Sequence, residues 1–402
     1  MKRPIVISLS PNVENEDFLA SLRMFFSPWE YFKSGYIKML GQWFRSYFKM
    51  KSAITFASGR GALFSILKSI GLNRGDEVIL QAFTCAVVPN VIVSLGARPV
   101  FVDINGSLTL DIEDFKRKIT NKTKAVIVQH TFGIEALPEI SKIAKEKKIL
   151  VIEDCAHRID DQLKINGDIA FFSFGRDKAF SSVFGGVAIT NNEIIGKKIK
   201  MFQRHQSKPS FFWVLQQLFH PIAFYFILPF YNIFSLGKIM LVVLQFFHFL
   251  SFPVSSDEKK GKLSGISFKK MPNALCYLAL LQLKKIKEYN QKREKISNYY
   301  SERITSSFII PCKKNLPFLR FPVIVERRDE ILNIFKKKGI YLGKWYSEII
   351  DPKGVDFNKI FYKKGSCPNA EFMARKIINL PTYPLLEVKD AQKIVNIING
   401  SN

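Results

Sequence analysis

Short apolar runs alternate with amphipathic stretches between residues 51 and 190. The apolar runs are rich in Val, Ile and Phe, which is typical of parallel strands buried on both faces. The amphipathic stretches repeat their apolar residues every three or four positions, as helices do. The pattern therefore predicts an α/β fold with a mostly parallel sheet covered by helices. The predicted strands are 53–56, 77–80, 99–103, 125–129, 149–153, 169–174 and 187–190, and the predicted helices are 61–70, 86–95, 138–147 and roughly 191–203.

The last quarter of the chain has a different pattern, with fewer apolar runs and more isolated helices. An amphipathic helix starts near Pro272, and beyond it the pattern predicts one strand at 318–325 and helices at 328–338 and 388–398. A chain of 402 residues is long enough for two cores. We therefore predict a large α/β domain over residues 1–285 and a small C-terminal α+β domain over residues 286–402.

Residues 209–256 interrupt the large domain with an apolar insertion. Apart from Lys238, this stretch contains no Asp, Glu, Lys or Arg, and it is dense in Phe, Tyr and Trp. Pro221 and Pro229 are expected to break its first half, which disfavours two clean membrane spans. A shallow, monotopic or re-entrant helical pair at a membrane surface is the favoured interpretation. A buried helical hairpin or an additional dimer interface remains the alternative.

The net charge of the chain limits the classes of partner that it is expected to bind. The formal net charge is +26, an excess that attracts anionic membranes, phosphorylated substrates or nucleic acid. The lysines are spread along the whole chain, so a general bias in composition also explains part of the excess. No zinc-finger spacing or RNA-binding aromatic motif accompanies the charge, and we predict neither nucleic-acid binding nor a metal site. Lysines flank the insertion on both sides, which favours the cytoplasmic face of a membrane.

The five cysteines are odd in number and include no CxxC pair. The N-terminus lacks the apolar core of a signal peptide. We therefore expect free thiols in a reducing cytoplasm. The cysteines are Cys85, Cys155, Cys276, Cys312 and Cys367.

Three polar features surround the predicted sheet. Asp154 ends a strand, where ligand sites of parallel sheets lie, although a lone Asp there more often caps the following turn. Lys178 lies in a Gly- and Ser-containing loop between two strands, a place where most lysines are simply solvated. The turn ASGRGAL (57–63) follows a strand and opens a helix, so its backbone N–H groups are suited to an anion.

In order and spacing, these features resemble the DegT/StrS sugar aminotransferases, which are pyridoxal phosphate (PLP) enzymes of fold type I. The motifs are SGRGAL, GDEVILQAFT, GARPVFVDI, VIEDCAH, GDIAFFSFGRDK, GGVAITN and INLPTYP, and they span most of residues 50–205 and 265–400. The resemblance implies that Lys178 is the Schiff-base lysine, which adds to the cofactor aldehyde and later moves a proton. It implies that Asp154 pairs with the pyridine nitrogen and that Ser173 and the Ser58–Gly59–Arg60 turn hold the phosphate.

Four positions depart from the family pattern. His157 occupies the place of a Gln that donates to the ring's phenolic oxygen; an imidazole can also donate, and a purely structural histidine is the alternative. Arg60 replaces a common Thr, and Cys85 replaces an aromatic residue that usually stacks on the ring. The region that reaches the neighbouring subunit's cofactor is GISFKKM (265–271), without the usual Asn and with Lys270 in place of Arg.

The resemblance implies an aminotransferase that moves an amino group, with glutamate the expected donor, to a keto-sugar on a nucleotide or lipid carrier. Such an enzyme would serve cell-surface polysaccharide or glycolipid biosynthesis, and the family implies a homodimer. The insertion alone, and not the resemblance, predicts a peripheral or monotopic location at the inner face of the cytoplasmic membrane and favours a lipid-linked substrate. Two alternatives remain open. One is another PLP reaction on a sugar, for which a dehydrating relative would be expected to carry His in place of Lys178. The other is a membrane-associated scaffold of the same fold that has lost catalysis.

Overall fold

A seven-stranded sheet forms the centre of the computed structural model, which describes residues 3–136, 138–252, 254–305, 309–311 and 313–400. The strands of this sheet, in spatial order, are β2 (Ser52–Phe56), β9 (Gly186–Thr190), β8 (Ile169–Ser173), β7 (Leu150–Asp154), β6 (Thr123–Gln129), β3 (Glu77–Gln81) and β5 (Arg98–Val102). Only β9 runs antiparallel to its neighbours, so the prediction of a mostly parallel sheet is confirmed.

The central strands are apolar on both faces because both faces are covered. Val126 and Val151 pack into one hydrophobic cluster, whereas the adjoining Ile127 and Ile152 pack into another on the opposite side. This alternation, with side chains pointing to opposite faces at successive positions, explains why the sequence shows continuous apolar runs.

Helices surround the sheet and extend into the C-terminal part. They are α1 (Asn15–Phe25), α2 (Gly35–Phe48), α3 (Gly59–Ser69), α4 (Val87–Ser94), α5 (Ile112–Lys118), α6 (Pro138–Glu146), α7 (Glu193–His205), α8 (Phe211–Ile227), α9 (Leu236–Phe246), α10 (Ser256–Lys259), α11 (Asn273–Lys284), α12 (Ile286–Arg303), α13 (Arg328–Lys337), α14 (Pro368–Lys376) and α15 (Val388–Asn399). The predicted elements agree with these bounds to within about two residues at most ends. Helices α1 and α2 lie in a region for which the sequence pattern gave no prediction.

The C-terminal part contains a small antiparallel pair of strands, and the N-terminal strand pairs with another strand of this part. The remaining strands are β1 (Ile5–Val6), β4 (Thr84–Cys85), β10 (Arg320–Ile324), β11 (Ile340–Tyr341), β12 (Ile350–Asp351) and β13 (Ile377–Pro381). Strands β10 and β13 pair antiparallel, and β1 pairs with β11. One hydrophobic cluster contains residues from both sides of position 286. The division of the chain at that position stays a prediction.

The insertion forms two helices, α8 and α9, that pack on each other. Pro221 lies inside α8, so the expectation that it breaks the segment is wrong. Buried side chains on both sides of the proline, such as Leu218 and Phe224, hold the helix against the protein and offset the lost backbone hydrogen bond. Among the described residues, we find no helix whose length and apolar character would let it cross a bilayer.

Candidate active site

A cavity of about 530 Å³ lies at the carboxyl edge of the sheet, the edge at which α/β folds bind ligands. Strands β7 and β8 end there with Asp154 and Ser173. Every site residue predicted from the sequence lines this cavity: Ser58, Gly59, Arg60, Cys85, Asp154, His157, Ser173 and Lys178. Their individual roles stay predictions, but their convergence from five separate segments is a feature of the fold.

The N-terminus of α3 forms one end of the cavity. Ser58 caps the helix, because its Oγ accepts a hydrogen bond from the Gly61 N–H at 3.1 Å. A Cβ at Gly59 would lie 2.8 Å from the Ser173 Cβ, and one at Gly186 would lie 2.6 Å from the Gly59 backbone. Only glycine fits these two positions, so the N-terminal end of α3 can sit directly beside the Ser173 side chain. Such an end is suited to a phosphate.

Arg60 has a protein partner that the sequence did not indicate, and its predicted contact with phosphate stays a prediction. Its guanidinium forms an ion pair with the buried carboxylate of Glu258, just beyond the apolar insertion. The Glu258 carboxylate also accepts from the Ser255 backbone N–H and so caps α10. Arg60 therefore lines the cavity while it ties α3 to the end of the insertion.

Lys178 is half-buried, and hydrogen bonds from Asn12 and Arg293 hold the backbone of its loop. Asn12 Nδ2 donates to the Lys178 carbonyl at 2.8 Å, and Arg293 donates to the Ala179 carbonyl at 2.7 Å. Burial lowers the pKa of the Lys178 ammonium; the Asp177 carboxylate opposes this shift and Arg320 reinforces it. A lowered pKa favours the neutral amine, which is the form that attacks a carbonyl carbon.

Asp154 combines a structural and an electrostatic role. Its Oδ1 accepts from the Ala156 N–H at 2.9 Å, so the carboxylate does cap the following turn. Burial raises the pKa of this carboxyl, while the Ala156 N–H and the charges of Lys178 and His130 act against the shift. Because burial disfavours the charged form of the carboxyl, a cation placed beside it would stabilise that form. The protonated pyridine ring of the cofactor would be such a cation.

His157 is neutral and has a defined tautomer. Its Nδ1 accepts from the Phe132 N–H at 3.2 Å, which leaves the proton on Nε2. Burial, with the charges of Lys178 and Arg320, keeps the pKa of the imidazole well below its usual value. The ring stacks on Phe132 at 5.7 Å and on Tyr346 at 6.4 Å. An oriented N–H donor is what the predicted hydrogen bond to a phenolic oxygen needs.

Cys85 is a packing group in the described structure. Burial raises the pKa of its thiol to about 11, so the sulfur stays protonated at neutral pH. Cys155, Cys276 and Cys367 are likewise free, as expected, whereas Cys312 lies outside the described residues.

Sequence reasoning missed a second charged group beside Lys178. Asp177 forms an ion pair with Arg320 from β10, and the Arg320 guanidinium stacks on the Trp345 ring at 3.4 Å. Burial opposes ionisation of Asp177, yet the charges of Arg320 and Lys178 hold the pKa of its carboxyl below the usual value. A buried Arg within the apolar run FLRF was the one available signal, and it does not reveal its partner.

The motif GISFKKM lies next to the phosphate end of the same chain. The Lys269 carbonyl accepts from the Ala57 N–H at 3.1 Å, and the Ser267 carbonyl lies where a Cβ on Gly61 would clash, at 2.8 Å. The segment therefore supports the turn before α3 within its own subunit.

The apolar insertion forms part of the cavity wall, which the sequence did not indicate. Arg176, two residues before Lys178, hydrogen-bonds through its guanidinium to the carbonyl and hydroxyl oxygens of Ser251. The lining residues from the insertion are His220, Phe224, Leu241, Gln245, Leu250, Phe252 and Val254. Thus Arg60 at the start of α3 and Arg176 in the loop before Lys178 both bond to the segment between residues 251 and 258.

Taken as a set, these groups fit pyridoxal phosphate. The α3 N-terminus with Ser173 would hold the phosphate, Asp154 the ring nitrogen, His157 the phenolic oxygen and Lys178 the aldehyde carbon. When bound, the cofactor carries the amino group between donor and acceptor and withdraws electrons from the carbon that loses a proton.

Comparisons with known proteins agree with this fit. The model of the DegT/DnrJ/EryC1/StrS aminotransferase family matches residues 14–219 and 242–399, and the unmatched gap falls inside the insertion. A GDP-perosamine synthase from Escherichia coli is 25% identical over 386 residues, covering 93% of this chain and 92% of that protein. A UDP-N-acetyl-3-dehydro-alpha-D-glucosamine 3-aminotransferase from Acidithiobacillus ferrooxidans is 25% identical over 356 residues, covering 85% of this chain and 82% of that protein.

Solved structures share the fold. The NtdA protein of Bacillus subtilis, crystallised with the cofactor PMP, superposes with a TM-score of 0.76 at 20% identity, over 100% of this chain and 85% of that one. The predicted fold type, enzyme class and cofactor are confirmed. The chain belongs to the DegT/DnrJ/EryC1/StrS family of pyridoxal-phosphate-dependent aminotransferases.

Proposed function

We propose that the protein transfers an amino group from glutamate to a keto-sugar attached to a nucleotide or lipid carrier, in cell-surface polysaccharide or glycolipid biosynthesis. The observation that carries this proposal is the buried amine of Lys178 in one cavity with the Asp154 carboxylate and the neutral His157 imidazole. The two curated relatives described above are named for amino-sugar synthesis, which supports a sugar acceptor.

Each residue has a distinct task. Lys178 accepts a proton from the donor carbon and returns one to the acceptor carbon, because its lowered pKa keeps a fraction of the amine neutral. Asp154 holds a positive charge on the ring nitrogen, and His157 Nε2 donates to an oxygen. Trp345 and Tyr346 from the C-terminal part line one side of the cavity and exclude water from that side of the reacting atoms.

Two half-reactions test the proposal separately. Purified protein loaded with PLP should release about one equivalent of 2-oxoglutarate from glutamate alone, and turnover should begin when a panel of keto-sugar diphosphates is added. Protein with Lys178→Ala serves as the control and should do neither. No 2-oxoglutarate from the wild-type protein would contradict the proposal and favour the catalytically inactive scaffold. Consumption of the sugar without stoichiometric 2-oxoglutarate would favour another PLP reaction.

We further infer that residues 209–256 dock on the cytoplasmic face of an anionic membrane. Helix α9 turns a row of apolar side chains to solvent: Ile239, Val242 and Phe246 are 56%, 63% and 76% exposed. The insertion contains no acidic residue, and lysines lie at 238, 259, 260 and 262. Asp257 is the exposed acidic residue next to these lysines, so the surface keeps a positive excess that anionic lipid complements.

Sedimentation with vesicles tests the docking. The protein should bind vesicles containing phosphatidylglycerol and bind neutral phosphatidylcholine vesicles more weakly, with added salt reducing the difference. Equal recovery in the supernatant with both vesicle types would contradict it. The family resemblance also supports a homodimer, for which sedimentation equilibrium is the direct measurement.

A further inference from the structure

The wall that the insertion contributes to the active-site cavity differs in chemistry from the opposite wall. The sheet edge supplies Asp154, His157, Lys178 and other polar groups, whereas the insertion supplies chiefly aliphatic and aromatic side chains. Phe224 and Leu250 belong to a buried apolar cluster, and Leu241 of α9 packs against it while also facing the cavity. Gln245 and the neutral His220 are the polar side chains on this wall among the described residues of 209–256.

The apolar wall continues to the protein surface. Phe252, which follows α9 in the chain, lines the cavity and is also 55% exposed, so the apolar lining reaches the surface at this residue. On that helix, Leu241 faces the cavity while the adjacent Val242 faces solvent. The insertion therefore supplies apolar side chains both to the cavity and to the surface that we assign to the membrane.

A cation lies where this path meets the catalytic groups. Arg176 is buried and stacks on Phe184 at 5.3 Å, and Ser251 fixes its guanidinium. Its Nε lacks a hydrogen-bond partner among the described residues, and burial lowers the pKa of the guanidinium to about 10. A buried, oriented arginine with an unused donor is suited to a phosphate group.

We propose that the acceptor sugar is carried by a polyprenyl diphosphate, whose diphosphate binds Arg176 and whose first isoprene units lie on Leu241, Leu250 and Phe252. This inference rests on the proposed function and assigns its carrier. A nucleoside base needs several hydrogen-bonding partners, and the described part of the insertion wall offers His220 and Gln245 among otherwise apolar side chains. A polyprenyl chain needs only apolar surface, and the remainder of the chain leaves the cavity at Phe252 toward the bilayer.

Calorimetric titration of the PLP-loaded protein tests the carrier with three probes. Farnesyl diphosphate should bind at least about tenfold more tightly than inorganic diphosphate, since burial of even one isoprene unit exceeds that difference. It should also bind more tightly than uridine diphosphate. Uridine diphosphate that binds as tightly as farnesyl diphosphate, or more tightly, would overturn the proposal and assign a nucleotide carrier.

A matched pair of substitutions on α9 tests where the isoprene units bind. Leu241→Gln should weaken farnesyl diphosphate binding about tenfold and leave inorganic diphosphate unchanged. Val242→Gln, one residue along and solvent-facing, should leave both affinities unchanged and weaken only vesicle binding. Phe252→Ser repeats the Leu241 test at a half-exposed position, where the fold tolerates the change. Equal effects of Leu241→Gln and Val242→Gln on farnesyl diphosphate would contradict the assignment.

Arg176→Lys tests the diphosphate contact. It should weaken farnesyl diphosphate and inorganic diphosphate by the same factor, because a lysine ammonium cannot replace the Arg176 Nε donor. Unchanged affinity for inorganic diphosphate would remove Arg176 from the site. The glutamate half-reaction involves no acceptor, so its success with failed farnesyl diphosphate binding would reject the carrier while leaving the aminotransferase proposal intact.

Discussion

The carboxyl edge of the sheet and the apolar insertion face the same cavity but are built on opposite principles. At the sheet edge, polar groups are buried and paired: Asp154 with a backbone N–H, His157 with another, Asp177 with Arg320. In the insertion, large apolar side chains such as Phe246 stay exposed. A buried polar network fixes reacting atoms in place, whereas an exposed apolar surface indicates a partner outside the chain. The comparison assigns the reaction to the sheet edge and the proposed membrane contact to the insertion.

The contrast between the two regions fails most completely if Lys178 is not the reactive group. Lys178→Ala should reduce the glutamate half-reaction by more than about 1,000-fold, because both the cofactor bond and the proton transfer depend on this amine. Rapid-quench measurement of 2-oxoglutarate gives the rate. Lys198→Ala on α7, exposed and outside the cavity, is the matched control and should behave as wild type. Residual activity above one tenth would transfer the role to another group.

The next largest effect is expected at Asp154. Asp154→Asn keeps the shape but removes the charge that favours a protonated ring, and the half-reaction should slow by about 100-fold with PLP still bound. The visible absorbance of the bound cofactor reports retention. Full activity in this variant would reduce Asp154 to the cap of the turn at Ala156.

Whether a feature of these two regions could be predicted from sequence depends on how far apart its interacting residues lie along the chain. The strand ends, the α3 turn and Lys178 follow from local pattern and motif order, and the structure brings them together as expected. The Asp177–Arg320 pair joins residues 143 positions apart, and no local pattern identifies such partners. Nor did composition show that the insertion lines the cavity, because the Arg176–Ser251 contact is a tertiary one. Pro221 was misjudged because packing on both sides of it outweighs the intrinsic helix-breaking tendency.

On the insertion side, Phe246→Ser should reduce binding to anionic vesicles about tenfold, since a phenyl ring that enters the interface contributes on the order of 1.5–3 kcal/mol. The glutamate half-reaction should be unaffected. Phe372→Ser, at another exposed Phe on α14, is the control. Loss of the half-reaction together with vesicle binding would mean that the two regions are not separable.

A smaller effect concerns the charge balance around Lys178. The Asp177 carboxylate raises the pKa of the Lys178 ammonium, and Arg320 lowers it. Asp177→Asn removes the first influence and leaves the Arg320 charge unneutralised, and both changes lower the pKa of the Lys178 ammonium further. The pH at which the apoenzyme takes up PLP at half its maximal rate should move down accordingly. Asp161→Asn, at an exposed site, should not move it, and an upward shift for Asp177→Asn would contradict the described electrostatics.

The smallest effect is expected at His157. His157→Gln restores the donor usual in the family and should retain activity within about threefold, whereas His157→Leu should lose about tenfold through the missing hydrogen bond. Steady-state rates with glutamate and a keto-sugar acceptor distinguish the two variants. Equal losses in both would favour a purely structural histidine that packs with Phe132 and Tyr346.

The central claim is that the Lys178 amine bonds the cofactor's aldehyde carbon at the carboxyl edge of the sheet. Borohydride reduction of the PLP-loaded protein, followed by protease digestion and mass spectrometry, measures this most directly. The account predicts a single phosphopyridoxyl group on the peptide that contains Lys178. A label on a different lysine, or no label at all, would contradict it.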